Sequence, residues 1–411
     1  MAKGFTTNIL HSDRQSPIEH GSVHKPIHTS VTFGYDDARD LAAVFQSRQS
    51  GYRYGRQGNP TVAALELKIT QMEQGIASLC FASGMAAIAA LPQALLKAGD
   101  HVISSRFLFG NTSNLWQTTT GLGIEISYAD ATRVENIRAE ITPATRMVFV
   151  ETIANPRTQV ADLKQIGALC HERGILFVVD NTMTSPYLFC PKEVSAGLSI
   201  NSLTKAISGH GDVLGGCITD TGAYDWSRFP NIAANIKKQP QAMWGITQLR
   251  AKALRDFGAC LSPDAAHQVA IGAETMALRI ERQCSNAAQL AELLSAHSNV
   301  SQVYYPGLKS HPQHALSTRL FKAHGSIFSF ELKPEIDLYD FLNALTLPIS
   351  ATHLGDNRTL ILPVAQTIFY EMGPERRAEM DIAESLIRVS VGIEDTADLL
   401  ADFTQALNRF S

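Results

Sequence analysis

The 411-residue chain lacks the features of membrane, secreted and nucleic-acid-binding proteins. No uninterrupted apolar stretch is long enough to span a bilayer, and the longest candidate, 86–96, contains Pro92. The N-terminal residues have no apolar core of the kind that a signal peptide carries. The formal net charge is −4 and no run of like charge occurs, which argues against nucleic acid as a partner. We therefore expect a cytoplasmic protein with neither a membrane nor a nucleic acid as its partner.

Cysteine is sparse, and its spacing excludes the usual cysteine-based sites. No Cys-x-x-Cys pair occurs, so the thiols are expected to be reduced, without a disulfide framework or zinc site. The six cysteines are scattered: Cys80, Cys170, Cys190, Cys217, Cys260 and Cys284. His311 and His314 have the spacing of metal ligands, but Pro312 lies between them and no carboxylate or thiol is close in sequence. We predict a surface turn there and no metal.

What the chain does contain is a regular alternation of strand-like and helix-like segments. Hydrophobic residues make up 45% of it, enough for a large core and two domains. Short apolar runs alternate with segments of helical periodicity, which predicts an α/β fold with a mostly parallel, doubly wound sheet. The expected strands are 77–82, His101–Ser104, Ile124–Ala129, Met147–Glu151, Leu176–Asp180, Leu198–Ser202 and Cys217–Thr219.

The two ends of the chain have a different pattern. Residues 1–57 have little periodicity and are expected to form an extended arm, followed by the large domain over 58–260. A capping sequence at Ser262 opens one long predicted helix that reaches His297. Shorter strands are predicted at 301–305, 326–332 and 386–391. We therefore expect a smaller C-terminal α+β domain over 261–411.

An acid and a lysine follow two of the predicted strands. Asp180 ends the apolar run 176–179, and Lys205 follows the next run. Ligands of open α/β sheets bind beyond the carboxyl ends of the strands, so both side chains should face one crevice. Pyridoxal phosphate (PLP) chemistry needs this pair, because a lysine amine links to its aldehyde and an acid keeps the pyridine nitrogen protonated. Taken alone, the acid is also explained as a helix cap and the lysine as a solvated side chain.

Further segments could complete such a site. The turn Ser83-Gly84-Met85 stands between a predicted strand and a helix, where free backbone N–H groups bind phosphate well. In the arm, Tyr54 and Arg56 lie among glycines and could clamp an anion, although a polar loop explains them equally.

Three more polar or aromatic residues are candidates for the same crevice. Asn155 follows a predicted strand, and Phe109 could lie flat on an aromatic ring. Arg388 points away from the apolar face of the last strand, where it is either a surface residue or the clamp for a substrate carboxylate.

Together these motifs resemble the Cys/Met metabolism PLP-dependent enzymes, the trans-sulfuration group of fold type I. This family includes cystathionine γ-synthase, cystathionine lyases, methionine γ-lyase and homoserine-ester sulfhydrylases. The matching segments include Tyr54-x-Arg56-x-x-Asn-Pro-Thr, Ala82-Ser-Gly-Met85, Glu151-Thr-x-x-Asn155-Pro, Val179-Asp180-Asn-Thr, Ser202-x-Thr204-Lys205, Tyr305-Pro-Gly-Leu, Leu354-Gly-Asp and Ile387-Arg388-Val-Ser-Val-Gly. They run through nearly the whole chain and imply the PLP-dependent transferase fold, of the aspartate aminotransferase type.

The resemblance implies a role for each matched position. Lys205 would carry PLP and move protons between Cα, C4′ and Cβ, while Asp180 would pair with the pyridine nitrogen. Arg388 would bind the substrate α-carboxylate. The remaining implied cofactor or substrate contacts are Ser83, Gly84, Met85, Phe109, Asn155, Ser202, Thr204 and His353, joined by Tyr54 and Arg56 of a neighbouring subunit. A dimer would then be the smallest active unit, and two such dimers would form a tetramer.

The departures from the family pattern bear on the reaction. Phe109 stands where many members have a tyrosine, so ring stacking is kept and a phenol proton is lost. His353 replaces a Ser or Asn, 361–363 replaces a common Thr-His-Pro, and 228–245 looks like an insertion. We expect Leu362, His353 and this insertion to shape the substrate pocket.

Three functions remain open. The first is replacement at Cγ of an O-acylhomoserine by sulfide or cysteine, because an ester carboxylate leaves with little acid help. The second is a C–S lyase that uses Tyr54, or His353 at an ordinary pKa of about 6.5, as the missing proton donor. The third is a catalytically silent PLP-binding assembly protein, against which the intact Lys205, Asp180 and Arg388 argue.

Overall fold

The chain forms two β-sheets surrounded by helices. A computed structural model describes residues 3–15 and 17–410. The strands are β1 (Ala77–Phe81), β2 (His101–Ser105), β3 (Glu125–Ala129), β4 (Thr145–Glu151), β5 (Leu176–Asp180), β6 (Leu198–Asn201), β7 (Gly216–Asp220), β8 (Val300–Tyr304), β9 (Ile327–Leu332), β10 (Ile349–Ser350), β11 (Leu360–Pro363) and β12 (Leu386–Ser390).

Helices cover both faces of the first sheet and one face of the second. They are α1 (Phe5–Leu10), α2 (Ala38–Phe45), α3 (Pro60–Met72), α4 (Gly84–Leu95), α5 (Gly110–Thr120), α6 (Val134–Ala139), α7 (Leu163–Arg173), α8 (Ser185–Leu188), α9 (Trp244–Gln248), α10 (Pro263–Glu274), α11 (Met276–Ala296), α12 (His314–Leu320), α13 (Leu338–Ala344), α14 (Pro374–Glu379) and α15 (Thr396–Asn408). A π-helical segment, Leu249–Arg255, continues α9.

The first sheet has the strand order β1-β7-β6-β5-β4-β2-β3. Strand β7 runs antiparallel to β1 and β6, and the other neighbours are parallel. All five residues of β5 are buried, as expected for a strand covered on both faces. The expected mostly parallel, doubly wound sheet is confirmed, and its carboxyl edge brings Asp180 and the segment after β6 together.

The second sheet, β10-β11-β12-β9-β8, belongs to the smaller C-terminal domain. Only β10 and β11 are parallel. Ile387 and Val389 pack with Leu290 of α11 and Phe403 of α15 in one core. Arg388 points the other way and is nevertheless buried, because that face meets the first sheet's loops. The α+β character of this part is as expected, whereas the exact boundaries at 57 and 260 stay predictions.

The N-terminal arm is less extended than predicted. Residues 5–10 and 38–45 are helical, since Ile9 packs against Leu65 and Ile69 of α3, and Asp37 caps α2 through the N–H of Arg39. Residues 1, 2 and 16 of the predicted arm lie outside the described residues. Tertiary contact therefore makes a helix where the sequence showed no clear period.

Two other expectations are wrong in detail. The single helix predicted from Ser262 to His297 is two helices, α10 and α11, separated by the non-helical Thr275. The turn at His311 is not on the surface: His311 is 8% exposed and its Nε2 lies 3.5 Å from Thr158 Oγ1. Within residues 3–15 and 17–410, no group of three potential metal-ligating side chains occurs.

The insertion at 228–245 lies at the amino edge of the first sheet. Asn231 donates to the carbonyl of Leu95 and to Asp100, just before β2, and Arg228 donates to the carbonyl of His171, just before β5. Lys205 lies at the opposite, carboxyl edge. Within one chain the insertion is therefore not part of the Lys205 crevice. No helix in the described part of the chain is long and apolar enough to cross a bilayer.

Helix α10 packs directly on the segment that carries Lys205, which predicts a sensitive glycine. A Cβ added at Gly272 would lie 2.2 Å from the backbone oxygen of Ser208. Although alanine favours a helix by about 1 kcal/mol, this backbone clash is larger, so Gly272→Ala should lower the free energy of unfolding by about 1–3 kcal/mol. Urea unfolding checks this. Gly34→Ala, with nothing within 4 Å of the added Cβ, is the control and should change little.

Candidate active site

Two buried carboxyl groups lie side by side at the carboxyl edge of the first sheet. Glu151 and Asp180 end the parallel strands β4 and β5 and are register partners. Burial, and then the charge of Asp180, raise the pKa of Glu151 to about 8, while burial raises the pKa of Asp180 against the opposing hydrogen bond from Thr182. Because two adjacent buried carboxyls do not both ionise easily, Glu151 is the one that holds a proton at neutral pH.

Glu151 also positions the aromatic residue at the next strand end. Its Oε1 accepts the backbone N–H of Phe109 at 2.9 Å, at the start of α5. Phe109 is half-buried, and its backbone is thereby fixed beside the two carboxyls. Sequence reasoning missed Glu151, although it gives the same signal as Asp180, an acid that ends a buried strand.

Lys205 follows β6 and faces the same crevice. Its Nζ lies 3.3 Å from Nδ1 of His353. Burial, and then the positive charge of Arg388, lower the pKa of Lys205 to about 8, well below the ordinary 10.5. A substantial fraction of this amine is therefore neutral near physiological pH, as a base or nucleophile must be.

Arg388 joins the two sheets at this point. One of its terminal nitrogens donates to the carbonyls of Thr352 and His353 at 3.0 Å, and the other lies 3.4 Å from Oδ1 of Asn155. Its Nε is buried without a partner among the described residues. No carboxylate pairs with the guanidinium in that part of the chain, so it is free to bind an anionic group.

His353 is brought to the site as predicted, but its protonation differs from the expectation. Burial, followed by the positive charge of Lys205, lowers the pKa of His353 to about 4. Its Nε2 is buried and unpartnered within the described residues. The interpretation of His353 as an acid at its ordinary pKa is therefore wrong, because the imidazole is neutral near pH 7.

The turn that was predicted to hold a phosphate lies at the start of α4. The Ser83 hydroxyl accepts the N–H of Ala86 at 3.1 Å, and the N–H groups of Gly84 and Met85 precede it at the helix end. A Cβ added at Gly84 would lie 2.9 Å from Cβ of Ser202, so the residue after β6 closes against this helix end. These groups suit a phosphate.

Three predicted residues do not contact the Lys205 crevice with free polar groups in this chain. The Thr204 hydroxyl bonds the backbone of Gly215, at 3.0 Å from its nitrogen and 3.2 Å from its oxygen, so it is not free to donate to a phosphate. Arg56 lies over the Tyr54 ring and donates to the carbonyl of Arg255. Among the described residues, no hydrogen bond joins Tyr54 or Arg56 to the Lys205 group of the same chain, and their assignment to a neighbouring subunit stays a prediction.

The residues that are present fit PLP. A low-pKa lysine, a buried acid, a half-buried aromatic ring and a helix-end cup surround one crevice, each matched to a part of that cofactor. Fold and site together define a PLP-dependent enzyme of fold type I.

Comparison with known proteins gives the family. A family model described as "Cys/Met metabolism PLP-dependent enzyme" matches residues 6–408. The chain therefore belongs to this family and is a PLP-dependent trans-sulfuration enzyme. It is similar to L-methionine gamma-lyase of Pseudomonas deceptionensis, with 36% identity covering 99% of this chain and 98% of the relative. It is also similar to homocysteine synthase of Schizosaccharomyces pombe, with 33% identity covering 98% of each chain.

A solved structure supports the cofactor assignment. A Campylobacter jejuni chain that carries N'-pyridoxyl-lysine-5'-monophosphate superposes with a TM-score of 0.90. It is 28% identical in sequence, and the match covers 99% of this chain and 100% of that one. The predicted cofactor, PLP, is confirmed.

The lowered pKa of Lys205 predicts a pH profile for cofactor attachment. In apo protein, covalent attachment of PLP should accelerate as pH rises through about 8, because the neutral amine is the nucleophile. Arg388→Met removes the nearby positive charge, so the midpoint should move to higher pH. Borohydride trapping followed by mass spectrometry of the Lys205 peptide measures the rate. An unchanged midpoint in the variant would contradict the assigned charge effect.

Proposed function

We propose that this protein catalyses γ-replacement on an O-acylhomoserine by a sulfur nucleophile, sulfide or cysteine. The observation that carries this proposal is that Phe109 and His353, the two side chains expected beside the leaving group, offer it no proton. Phe109 has no hydroxyl, and the low pKa of His353, about 4, keeps its imidazole neutral. A leaving group beside these two side chains therefore departs without a proton from either of them.

Leaving-group chemistry distinguishes the substrates. An acyloxy group departs as a carboxylate, whose conjugate acid has a pKa of about 4, whereas a thiolate has a conjugate acid with a pKa of about 8.5. The thiolate is the poorer leaving group by about four pKa units and depends more on acid help. A crevice with Phe109 and a neutral His353 thus favours the ester substrate.

The residues then divide the work as follows. Arg388 binds the substrate α-carboxylate, and Asn155 and His353 contact the substrate beside it. When bound, PLP stores the electron pair released at Cα, and Asp180 and the helix-end cup hold the cofactor. Neutral Lys205 takes the proton from Cα and then serves at Cβ. Once the Cβ proton has been taken, the carboxylate leaves Cγ with its bonding electron pair. The sulfur nucleophile then adds at Cγ and protons return to Cβ and Cα, so an O-acylhomoserine and sulfide give homocysteine and a free carboxylic acid.

The proposal includes a second copy of the chain and a cytoplasmic enzyme. Tyr54 and Arg56 lie at a surface away from the Lys205 of their own chain, beside Arg255. We propose that they reach the phosphate end of a neighbouring site, which makes a dimer the active unit and a dimer of dimers the tetramer. Tyr54 is 42% exposed in one chain, which leaves it available for this contact.

A C–S lyase is the second candidate. The relatives named L-methionine gamma-lyase, at up to 36% identity, favour it. Since His353 is neutral, this reaction would need Tyr54 of the neighbouring subunit as its proton donor.

Product identification tests the two functions. Purified enzyme with PLP receives O-acetyl- or O-succinylhomoserine, each with sulfide, with cysteine or with neither, and mass spectrometry follows the products. We expect homocysteine or cystathionine to form faster than 2-oxobutyrate. Only 2-oxobutyrate, whatever thiol is present, would assign the protein to the lyases. Lys205→Ala is the matched inactive control and should lose turnover by several orders of magnitude.

The role of Phe109 gives a separate prediction. Phe109→Tyr restores a phenol beside the leaving group while keeping the ring. We expect elimination from methionine, measured as 2-oxobutyrate, to accelerate at least about tenfold. This lower bound is smaller than the usual contribution of a well-positioned acid. Replacement on the ester should change much less. Equal changes in both reactions would show that Phe109 does not set leaving-group preference.

A further inference from the structure

A third buried carboxyl lies beneath the site, outside the residues assigned so far. Glu73 caps the end of α3, and its side chain is 0% exposed. It reaches the ends of the neighbouring strands β5 and β6 from the side opposite the crevice. No arginine or lysine pairs with it in the described part of the chain.

Glu73 contacts the direct neighbours of the cofactor residues. Its Oε1 accepts from the Ser199 hydroxyl at 2.9 Å, from Asn181 Nδ2 at 3.3 Å and from Asn201 Nδ2. Asn181 follows Asp180, and Asn201 precedes Ser202. Successive residues of an extended chain point to opposite sides. Hydrogen bonds from Glu73 to the two asparagines therefore orient Asp180 and Ser202, which face the crevice.

Two unpaired atoms indicate the protonation state. Glu73 Oε2 and Asn201 Oδ1 are both buried without a partner among the described residues, although the other polar atoms of the same two groups bond each other. If Glu73 were ionised, its Oε2 would be a buried, charged oxygen without a hydrogen bond, which is unfavourable. One proton on Oε2, donated to Oδ1, satisfies both atoms and closes a cyclic acid–amide pair.

We propose that Glu73 is a positioning residue, held as a neutral acid in a cyclic pair with Asn201, that aligns Asp180 and Ser202 for the cofactor. The link to cofactor binding rests on the site roles proposed above, whereas the protonation state does not. Burial, which raises the pKa of Glu73 to about 7, agrees with the neutral form.

The surroundings of Glu73 contain few other groups that titrate in the same range. Cys190 donates its thiol to the Glu73 carbonyl, and burial raises the pKa of both Cys190 and Cys217, so neither ionises near neutral pH. The Lys192 ammonium bonds the carbonyl of Gln74 at 3.1 Å. After burial, the charges of Glu73, Asp180 on β5 and Glu66 on α3 also raise the pKa of Cys217, so these acids share one buried environment.

Glutamine at position 73 is a close mimic of the neutral acid. Its amide can donate to Asn201 Oδ1 and accept from Asn201 Nδ2, but it cannot ionise. The folded protein holds the Glu73 proton more tightly than the unfolded chain, so this stabilisation is complete below about pH 4.5 and is lost as pH rises to about 7. The melting temperature of the wild type should therefore fall relative to that of Glu73→Gln between about pH 4.5 and 7. Above this range the difference between the two melting temperatures should stay constant.

The experiment compares wild type, Glu73→Gln and Glu73→Ala, with Glu193→Gln, an exposed carboxyl nearby, as the matched control. Melting temperatures of the apo proteins, measured across pH, test whether Glu73 is protonated in the folded protein. Loss of PLP on dialysis, followed by its absorbance, tests the positioning role. Glu73→Ala leaves three donors unpaired and should release PLP roughly tenfold faster or more, whereas Glu73→Gln should retain it.

Each result has a defined meaning. If the melting temperatures of wild type and Glu73→Gln differ by the same amount at every pH in that range, Glu73 is not a neutral acid. This comparison does not depend on whether Glu73→Ala folds. Loss of PLP from Glu73→Gln as fast as from Glu73→Ala, or retention by both, would overturn the positioning role. Covalent attachment of PLP to Lys205→Ala, as in the wild type, would contradict the proposed function and its site roles. The comparison of melting temperatures would still test the protonation of Glu73.

Discussion

The structure depends on keeping ionisable groups out of water at one edge of a parallel sheet. In-register pairing of β4 and β5 places Glu151 beside Asp180, and two such carboxyls stay buried only when one keeps its proton. The N–H groups of Phe109 and Thr182 bond this pair, which fixes the aromatic residue and the turn after β5. A cofactor with a protonated ring nitrogen would give the ionised member of the pair its counter-charge. The geometry of the crevice thus follows from the desolvation of these acids.

The sequence predicts those parts of the fold and site whose cause is local. Asp180 and Lys205 follow short buried runs, and Ser83 caps a helix, so each is visible within a few residues. The C-terminal strands were also visible, although the burial of Arg388 was not, because it depends on Asn155, 233 positions away. Helix α1 escaped prediction for the same reason: Ile9 is helical where it packs against α3.

Glu73 shows where local signals end. In the sequence it is one polar residue after an amphipathic helix, with every sign of a solvated helix end. Its partners Asn181 and Asn201 are 108 and 128 positions away, and only the pairing of β5 with β6 brings them together. The insertion at 228–245 gives the opposite lesson. It was expected near the pocket as a departure from the family pattern, but the antiparallel β7 returns the chain to the amino edge of the sheet.

The positive field around Lys205 links these features to the choice of reaction. Burial and Arg388 lower the pKa of Lys205, and burial and Lys205 lower that of His353. Burial is the first cause of both shifts, so the desolvation that brings the pKa of Lys205 to about 8 also keeps the imidazole of His353 neutral near pH 7. The same field attracts an anion that departs from the substrate. A weakly basic carboxylate gains from this attraction without needing a proton, whereas a thiolate still needs one. The electrostatics of the site thus support the proposed ester substrate.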